Sequence, residues 1–280
     1  MSDHPPCPQC GGTGWKPVER DGARRVVRCE CWRTNVADRL MAEARIPKRY
    51  QHCALDNFLV YPNEPLMKAV GKARAFAEAF PVVEKGLFFI GPPGIGKSHL
   101  ATSVLRQAIE TRGARGLFYD VRELLRLIRS TFSDGAALGE MEILRPVMEA
   151  DLLVLDDLGA EKSSEWVGET LNLVVNTRYN ENRPTIFTSN FEVKEDDTDI
   201  DSLQARVGFR MYSRLHEMCE FLEFDGADYR YCPPNTGPNE LLSAWKNQRR
   251  PKLPTRSGGP MRAQLKGKTD LKWSGGKAGN

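Results

Sequence analysis

The feature that most constrains this chain is the run GPPGIGKS at positions 91–98. It follows the apolar run LFFI, opens the helix-like stretch HLATSVLRQAIE, and fits the pattern G-x-x-x-x-G-K-[ST]. A strand that leads through a glycine-rich loop into a helix is the setting in which this pattern binds nucleotide phosphates. We therefore predict an α/β domain with a phosphate site, because an ordinary glycine-rich turn leaves Lys97 and Ser98 unexplained.

The residue types in this loop suit a triphosphate. The backbone N–H groups of 94–98 form a nest for an anion, and the helix N-terminus adds partial positive charge. Lys97 is a point charge for the β- and γ-phosphates, and the Ser98 hydroxyl is expected to ligate Mg²⁺. His99 is expected to be a solvated residue of the first helical turn.

Two further apolar runs end in polar residues. LLVLDDLG at 152–159 ends in two aspartates: Asp156 would face Mg²⁺, and Asp157 would orient the attacking water. TIFTSN at 185–190 ends in Asn190, which would hold the water or sense the γ-phosphate. Ordinary strand-ending turns are the alternative for both runs. The predicted nucleotide-binding set is Gly91, Gly94, Ile95, Gly96, Lys97, Ser98, His99 and Asp156.

Composition divides the chain into three parts. Residues 1–45 are cysteine-rich, residues 46–232 alternate strand-like and helix-like runs, and residues 233–280 are a basic tail predicted to be largely disordered. In the tail, Leu241, Leu242 and Trp245 are expected to form one short helical turn. The middle part predicts a parallel sheet with helices on both faces. Its predicted strands are 87–90, 117–120, 152–156, 185–188 and 220–224, and its predicted helices lie near 65–80, 97–112, 121–132, 140–150, 164–181 and 209–218.

Net charge and hydropathy limit the kinds of partner that this chain can bind. Residues 235–280 hold ten Lys and Arg against two acids, a net charge of +8, which leaves −5 for residues 1–234. The tail is therefore either a weak nucleic-acid-binding arm or merely solvated. The longest aliphatic or aromatic runs have four residues, so no membrane span is predicted. The N-terminus lacks the apolar stretch of a secretory signal, so we expect a cytoplasmic protein with reduced cysteines.

Four cysteines form two close pairs, Cys7-Pro-Gln-Cys10 and Cys29-Glu-Cys31. Four thiolates suit a tetrahedral Zn²⁺ ion, with an iron–sulfur cluster or free cysteines as alternatives. The C-x-C half departs from the commoner C-x-x-C spacing, and His4 is an alternative ligand. A module of this size cannot bury its own core, so a metal would supply its folding free energy.

Three arginines downstream, Arg206, Arg210 and Arg214, are spaced four residues apart. On one continuous helix they would share a face. That face is either a solvated basic surface or the origin of an arginine finger that reaches a neighbouring subunit's γ-phosphate.

In chain order, GPPGIGKS, LLVLDDLG, TIFTSN, the Tyr-Ser-Arg-Leu of 212–215 and the Asp-Tyr-Arg of 228–230 resemble AAA+ ATPases. More narrowly, about residues 45–232 resemble the bacterial replicative-helicase loaders (DnaC/DnaI-like) and the related IstB transposition helper ATPases. The resemblance implies a five-stranded sheet of order 5-1-4-3-2, without the usual helical lid. It also implies an extra helix within 121–150 near single-stranded DNA. The basic contacts of that helix would be Arg122, Arg126 and Arg129.

The resemblance also implies roles for single residues. Asp156 and Asp157 would be the Walker B pair, Asn190 sensor 1, Arg214 the arginine finger, and Arg230 a second nucleotide-sensing arginine. Asp157 stands where most AAA+ proteins have Glu, which suggests slow, switch-like hydrolysis. Without a lid, Arg230 cannot act as a lid-borne sensor, and its role stays open.

The implied cofactors are ATP, Mg²⁺ and Zn²⁺. The implied partners are a replicative hexameric helicase or a transposase, single-stranded DNA, and further copies of the chain in an ATP-dependent oligomer. We predict an ATP-dependent helicase loader, with an IstB-type transposition helper as the alternative. A small-molecule kinase and a non-catalytic nucleic-acid-binding module are the alternatives from other classes.

Overall fold

A computed structural model describes residues 7–10, 15–20, 23–132, 139–161, 164–193, 202–233 and 235–247. In chain order its elements are β1 (Trp15–Arg20), β2 (Ala23–Arg28), α1 (Cys31–Glu43), α2 (Glu64–Ala79), β3 (Gly86–Ile90), α3 (Lys97–Arg112), β4 (Gly116–Asp120), α4 (Val121–Ser130), α5 (Glu140–Glu149), β5 (Leu152–Asp156), α6 (Glu165–Asn180), β6 (Thr185–Ser189), α7 (Leu203–Val207), α8 (Phe209–Met218), β7 (Cys219–Glu223) and α9 (Pro238–Asn247).

The main sheet has five parallel strands in the order β7-β3-β6-β5-β4. Numbered within residues 46–232 alone, this is the order 5-1-4-3-2 that the resemblance implies, and the predicted fold is confirmed. Every residue of β3, β5 and β6 is buried. These strands are buried along their whole length because helices cover both faces of the sheet.

Two apolar clusters hold the helices onto the sheet. One contains side chains of α1, α2, α3 and α9. The other contains side chains of α4, α5, α6 and α8. The phosphate loop connects β3 to α3. The first cluster holds α3 in place, and the sheet holds β3 in place.

The predicted helices of the middle part are present, and their ends lie within two residues of the predicted ones. Local signals explain the agreement. The Asp120 carboxylate accepts hydrogen bonds from the N–H groups of Arg122 and Glu123 and begins α4. Gly113, with φ of +64°, ends α3 in the left-handed conformation that favours glycine.

Arg206, Arg210 and Arg214 do not lie on one continuous helix, so the condition for a shared face is not met. Gly208 has φ of +81° and separates α7 from α8, so Arg206 lies on a different helix from the other two. The Arg206 guanidinium stacks over the Phe191 ring, 4.7 Å from its centroid. A glycine with positive φ interrupts the helical rise that would have aligned the three side chains.

Helix α9 is longer than the single turn expected from its apolar residues. It has ten residues, and Leu241 is buried in the same cluster as α2 and α3. This part of the segment predicted to be largely disordered is therefore ordered, because its apolar side chains pack on the domain. Residues 248–280 lie outside the described residues. Within the described part of the chain, no helix combines the length and apolar character that a membrane span needs.

Candidate functional site

The phosphate loop is braced by side chains from distant parts of the chain. Gly94 has φ of +82°, and a Cβ there would lie 1.8 Å from Oδ1 of Asp228. Gly96 has φ of +102°, and a Cβ there would lie 2.5 Å from the Phe58 ring. Both positions therefore need glycine for backbone conformation and for space.

Lys97 lies in the floor of this loop and is only 7% exposed. Its Nζ donates to the carbonyl oxygens of Gly91 and Pro92 and to Oδ1 of Asn190, each at 2.7 Å. Burial lowers the pKa of Lys97 from its usual 10.5 to about 8, against the opposite effect of the nearby Asp156 and Asp157. An anion bound at Nζ would favour the charged ammonium.

Asp156, at the end of β5, is 7% exposed and accepts two hydroxyl hydrogen bonds. Ser98 Oγ donates to Oδ2 at 3.0 Å, and Thr188 Oγ1 donates to Oδ1 at 2.7 Å. Burial raises the pKa of Asp156, and the two hydrogen bonds oppose that rise. A carboxylate and a hydroxyl at this separation are the hard oxygen donors that suit Mg²⁺, so the residues fit the predicted ion.

Asp157 has both carboxylate oxygens engaged. Asn190 Nδ2 donates to Oδ1 at 2.5 Å, and Arg122 Nη2 donates to Oδ2 at 2.9 Å. Asn190 thus bridges Lys97 and Asp157, so three residues that are far apart in sequence form one hydrogen-bonded chain. The Asp157 backbone has φ of +64°, which is uncommon for a non-glycine residue.

The site role of Arg122 was missed by the sequence analysis. We expected Arg122 to contact DNA with Arg126 and Arg129, but its guanidinium bonds Asp157 and lies 3.4 Å from Asp120. Arg126 and Arg129 are exposed on α4, and Arg129 stacks over Trp166. The sequence signal for this contact was the position of Arg122. It lies in the first turn of α4, which follows directly after β4, so it lies at the same edge of the sheet as the end of β5.

These groups line a cavity of about 620 Å³. One part of the lining, which we call the phosphate end, contains residues 94–98 and the polar groups of Asp156, Asp157 and Asn190. An apolar part, which we call the nucleoside end, contains Phe58, Leu59, Tyr61, Leu66, Ala227 and Leu241.

The expectation that His99 is solvated is wrong. Its Nε2 lies 2.9 Å from Oδ1 of Asn57 and 3.2 Å from the carbonyl oxygen of Ala54, and its ring meets Phe58 edge-on. Burial lowers its pKa. His99 therefore ties the phosphate loop to residues 54–58, and it also lines the cavity.

The two arginines assigned by resemblance lie in different places. Arg230 is exposed and lines the cavity, and its backbone N–H donates to Oδ1 of Asp228 at 3.0 Å. Arg214 lies on α8, where its Nη1 is 3.5 Å from the carbonyl oxygen of Arg210. Arg214 is not among the residues that line the cavity of its own chain.

The four predicted metal-ligating cysteines come together. Their Sγ atoms all lie within 4.8 Å of one another, with Cys10 and Cys31 3.2 Å apart and Cys7 and Cys29 3.8 Å apart. The antiparallel hairpin of β1 and β2 pairs Trp15 with Arg28 and so brings the two cysteine pairs to one end. Four thiolates around an ion with bonds of about 2.3 Å have this spacing, so the cluster fits Zn²⁺.

The comparisons with known proteins agree on one group. The family model described as "IstB-like ATP binding protein" matches residues 73–233. The replicative helicase loader DnaC of Escherichia coli K12 is 30% identical over 146 residues, which are 52% of this chain and 58% of that protein. The chain thus spans less than two thirds of the length of this curated relative.

Two solved structures show the same relationship. A crystal structure of the DnaC helicase loader has 34% identity and a TM-score of 0.57, and the match covers 64% of this chain and 100% of that one. A crystal structure of DnaI has 25% identity and a TM-score of 0.54, with coverage of 65% and 95%. Since the family model spans more than half of the chain and one loader structure is matched over its whole length, this chain belongs to the IstB-like ATP-binding proteins, the AAA+ group that includes the DnaC helicase loaders.

Proposed function

We propose that this protein is an ATP-dependent helicase loader of DNA replication. The observation that carries the proposal is the match to the DnaC loader structure over the whole of that chain. The hydrogen-bonded groups at the phosphate end of the cavity supply the ATPase chemistry that such a role needs. In this proposal ATP drives association of the subunits on single-stranded DNA, and hydrolysis releases the replicative hexameric helicase.

At the phosphate end, a few residues would bind ATP, each with a different role. Lys97 would exchange its carbonyl partners for oxygens of the β- and γ-phosphates, which are stronger acceptors because they are charged. Ser98 and Asp156 are the residues that would hold Mg²⁺. When bound, that ion neutralises charge on the β- and γ-phosphates.

Asp157 is the proposed base, and Asn190 the residue that positions water beside it. The carboxylate would accept a proton from the attacking water, while the Asn190 amide fixes its orientation. Arg122 and Asn190 already donate to the two oxygens of this carboxylate, so one of these hydrogen bonds must break before the carboxylate can accept a proton from water. We therefore expect a turnover below about 1 s⁻¹, at the slow end of the usual range for enzymes. Steady-state phosphate release would measure it.

Arg214 is proposed to act on a neighbouring subunit, because it lies away from the cavity of its own chain. Arg214→Ala should bind ATP normally and lose the part of turnover that rises with protein concentration. Arg210→Ala, one turn earlier on α8, is the matched control. If Arg214→Ala keeps wild-type turnover at every concentration, the arginine finger is assigned wrongly.

The cysteine cluster is proposed to hold one Zn²⁺ ion that stabilises the hairpin of β1 and β2. Elemental analysis should find one zinc per chain, and Cys10→Ser should lose it. Cys232→Ser, which changes a cysteine outside the cluster, should keep the metal. A wild-type protein that carries iron, or no metal, would contradict the zinc assignment.

The partner is tested by capture of the host's replicative hexameric helicase with and without ATP. Capture that depends on ATP supports the loader. A second candidate, a transposition helper, is favoured by the IstB-like description of the matching family model. Active ATPase without helicase capture, together with ATP-dependent capture of a transposase, would move the assignment to that function.

A further inference from the structure

We infer that Asp228 is a positioning residue that supports the phosphate loop and directs Arg230 into the cavity. The inference rests on the proposed function, because it assumes that the phosphates of ATP occupy this loop. It gives the segment that follows β7 a part in phosphate binding, through one side chain.

The segment that follows β7 runs along the phosphate loop. The N–H of Phe224 donates to the carbonyl oxygen of Ile90 at 3.0 Å, directly before the loop. A Cβ at Gly91 would lie 2.0 Å from the carbonyl oxygen of Phe224. Further along the segment, the N–H of Tyr229 donates to the carbonyl oxygen of Gly94 at 3.1 Å. The segment therefore contacts both the start and the middle of the loop.

Asp228 adds a side-chain contact to these backbone contacts. A Cβ at Gly94 would lie 1.8 Å from its Oδ1, so the carboxylate packs against Gly94. The same Oδ1 accepts the N–H of Arg230 at 3.0 Å and so caps the short 3₁₀ turn at 229–231. Arg230 in turn is exposed and lines the cavity. One half-buried carboxylate thus joins the phosphate loop to a cation of the cavity wall.

The charge of Asp228 does not explain its place beside the loop. A negative charge at this position repels the phosphates of a bound nucleotide. In our inference the carboxylate therefore contributes through its two contacts, the packing against Gly94 and the hydrogen bond from Arg230. Contact and charge act in opposite directions on phosphate affinity, so two uncharged variants can separate them.

The experiment measures binding of ATP and of inorganic tripolyphosphate to the full chain by calorimetry. Tripolyphosphate carries the phosphate chain alone, so a residue that acts on the loop should affect both ligands alike. Asp228→Asn keeps both contacts, whereas Asp228→Ala loses both, and neither carries a charge. We expect Asp228→Ala to bind both ligands about fivefold more weakly than Asp228→Asn, which is the usual effect of losing a cap.

Ionic strength tests whether the carboxylate faces the phosphates. Without its repulsion, Asp228→Asn should bind both ligands up to about threefold more tightly than wild type at low salt, and equally at high salt. Asp225→Asn is the matched control in the same segment, because its carboxylate accepts from Trp245 of α9. It should bind both ligands like wild type at every salt concentration.

A double-mutant cycle tests the role toward Arg230. If Asp228 acts partly through Arg230, the combined loss in Asp228→Ala/Arg230→Ala should be smaller than the product of the two single losses. Losses that multiply would overturn this part of the inference.

Two results would overturn the support of the loop. One is equal affinity of Asp228→Ala and Asp228→Asn. The other is wild-type affinity of Asp228→Asn at low salt, which decides the matter even if Asp228→Ala does not fold. A wild-type protein that binds neither ligand would instead remove the proposed ATPase function, whatever Asp228 does.

Discussion

The two ends of the cavity are built in different ways. The phosphate end comes from one continuous motif, residues 91–98, and from the ends of β5 and β6. The nucleoside end joins residues that are far apart in the chain: the hydrogen bond from Ala227 to Tyr61 spans 166 positions. The phosphate end is therefore built from a few short motifs that the sequence shows directly, whereas the nucleoside end depends on packing between distant segments. The two ends should respond differently to substitution.

Lys97→Ala should have the largest effect on ligand binding, because it removes the cation from the phosphate end. We expect binding of both ATP and tripolyphosphate to fall on the order of 100-fold or more, since a buried charge-assisted contact is lost. Calorimetry with both ligands measures it, and Lys85→Ala is a control outside the cavity. Full ATPase activity in Lys97→Ala would refute the phosphate-loop assignment.

Asp157→Asn should separate binding from chemistry at the same end of the cavity. The amide has nearly the same shape but cannot accept a proton as a base, so turnover should fall about 10²–10⁴-fold while ATP affinity changes little. Single-turnover hydrolysis and calorimetry measure the two effects. Asp151→Asn, which precedes the opposite end of β5, should hydrolyse ATP like wild type. Equal losses in binding and turnover would argue against a base.

The pH dependence of ATP affinity should report on Lys97. Its pKa is about 8, so above that pH the side chain is largely neutral and must take up a proton when phosphates bind. Affinity should therefore fall about fivefold between pH 8 and pH 9, with proton uptake in calorimetry. Lys97→Arg stays charged over this range and should bind with a flat profile. A flat wild-type profile would contradict the lowered pKa.

Tyr61→Phe should have the smallest effect, and only at the nucleoside end. Loss of the hydroxyl leaves the buried N–H of Ala227 without its acceptor, which should cost about 1–2 kcal/mol of unfolding free energy. We expect ATP binding to weaken about threefold and tripolyphosphate binding to stay the same. Thermal unfolding and calorimetry measure both. Weaker tripolyphosphate binding would show that the two ends are not independent.

The difference between local and long-range contacts accounts for which expectations were right. The strands, the helices and the phosphate loop could be predicted because short apolar runs, Asp120 as a helix cap and glycine at helix ends act over a few residues. The sheet order came from the resemblance, and the structure confirms it. Arg206 and Arg214 lie on different helices because Gly208 takes a positive φ between them, a conformation that glycine permits but that the sequence alone does not predict.

The contacts of Arg122 and His99 were not predicted, because both side chains are positioned by residues that are distant in the sequence. Arg122 belongs to the site because β4 lies next to β5, which brings the start of α4 to Asp157. His99 is packed because residues 54–58 cross the start of α3. In each case the sequence shows a polar residue on a helix, and only the neighbouring element shows what it contacts.

The sequence by itself determined the identity of the phosphate loop, the acidic end of β5, the cysteine pairs and the order of helices and strands. These depend on backbone conformation and donor chemistry within a few residues. Only the tertiary structure decided that α9 packs beside Tyr61, that Arg122 binds Asp157 and that the four cysteine sulfurs meet. Those contacts join residues separated by tens to hundreds of positions, and packing of the whole core is what selects them.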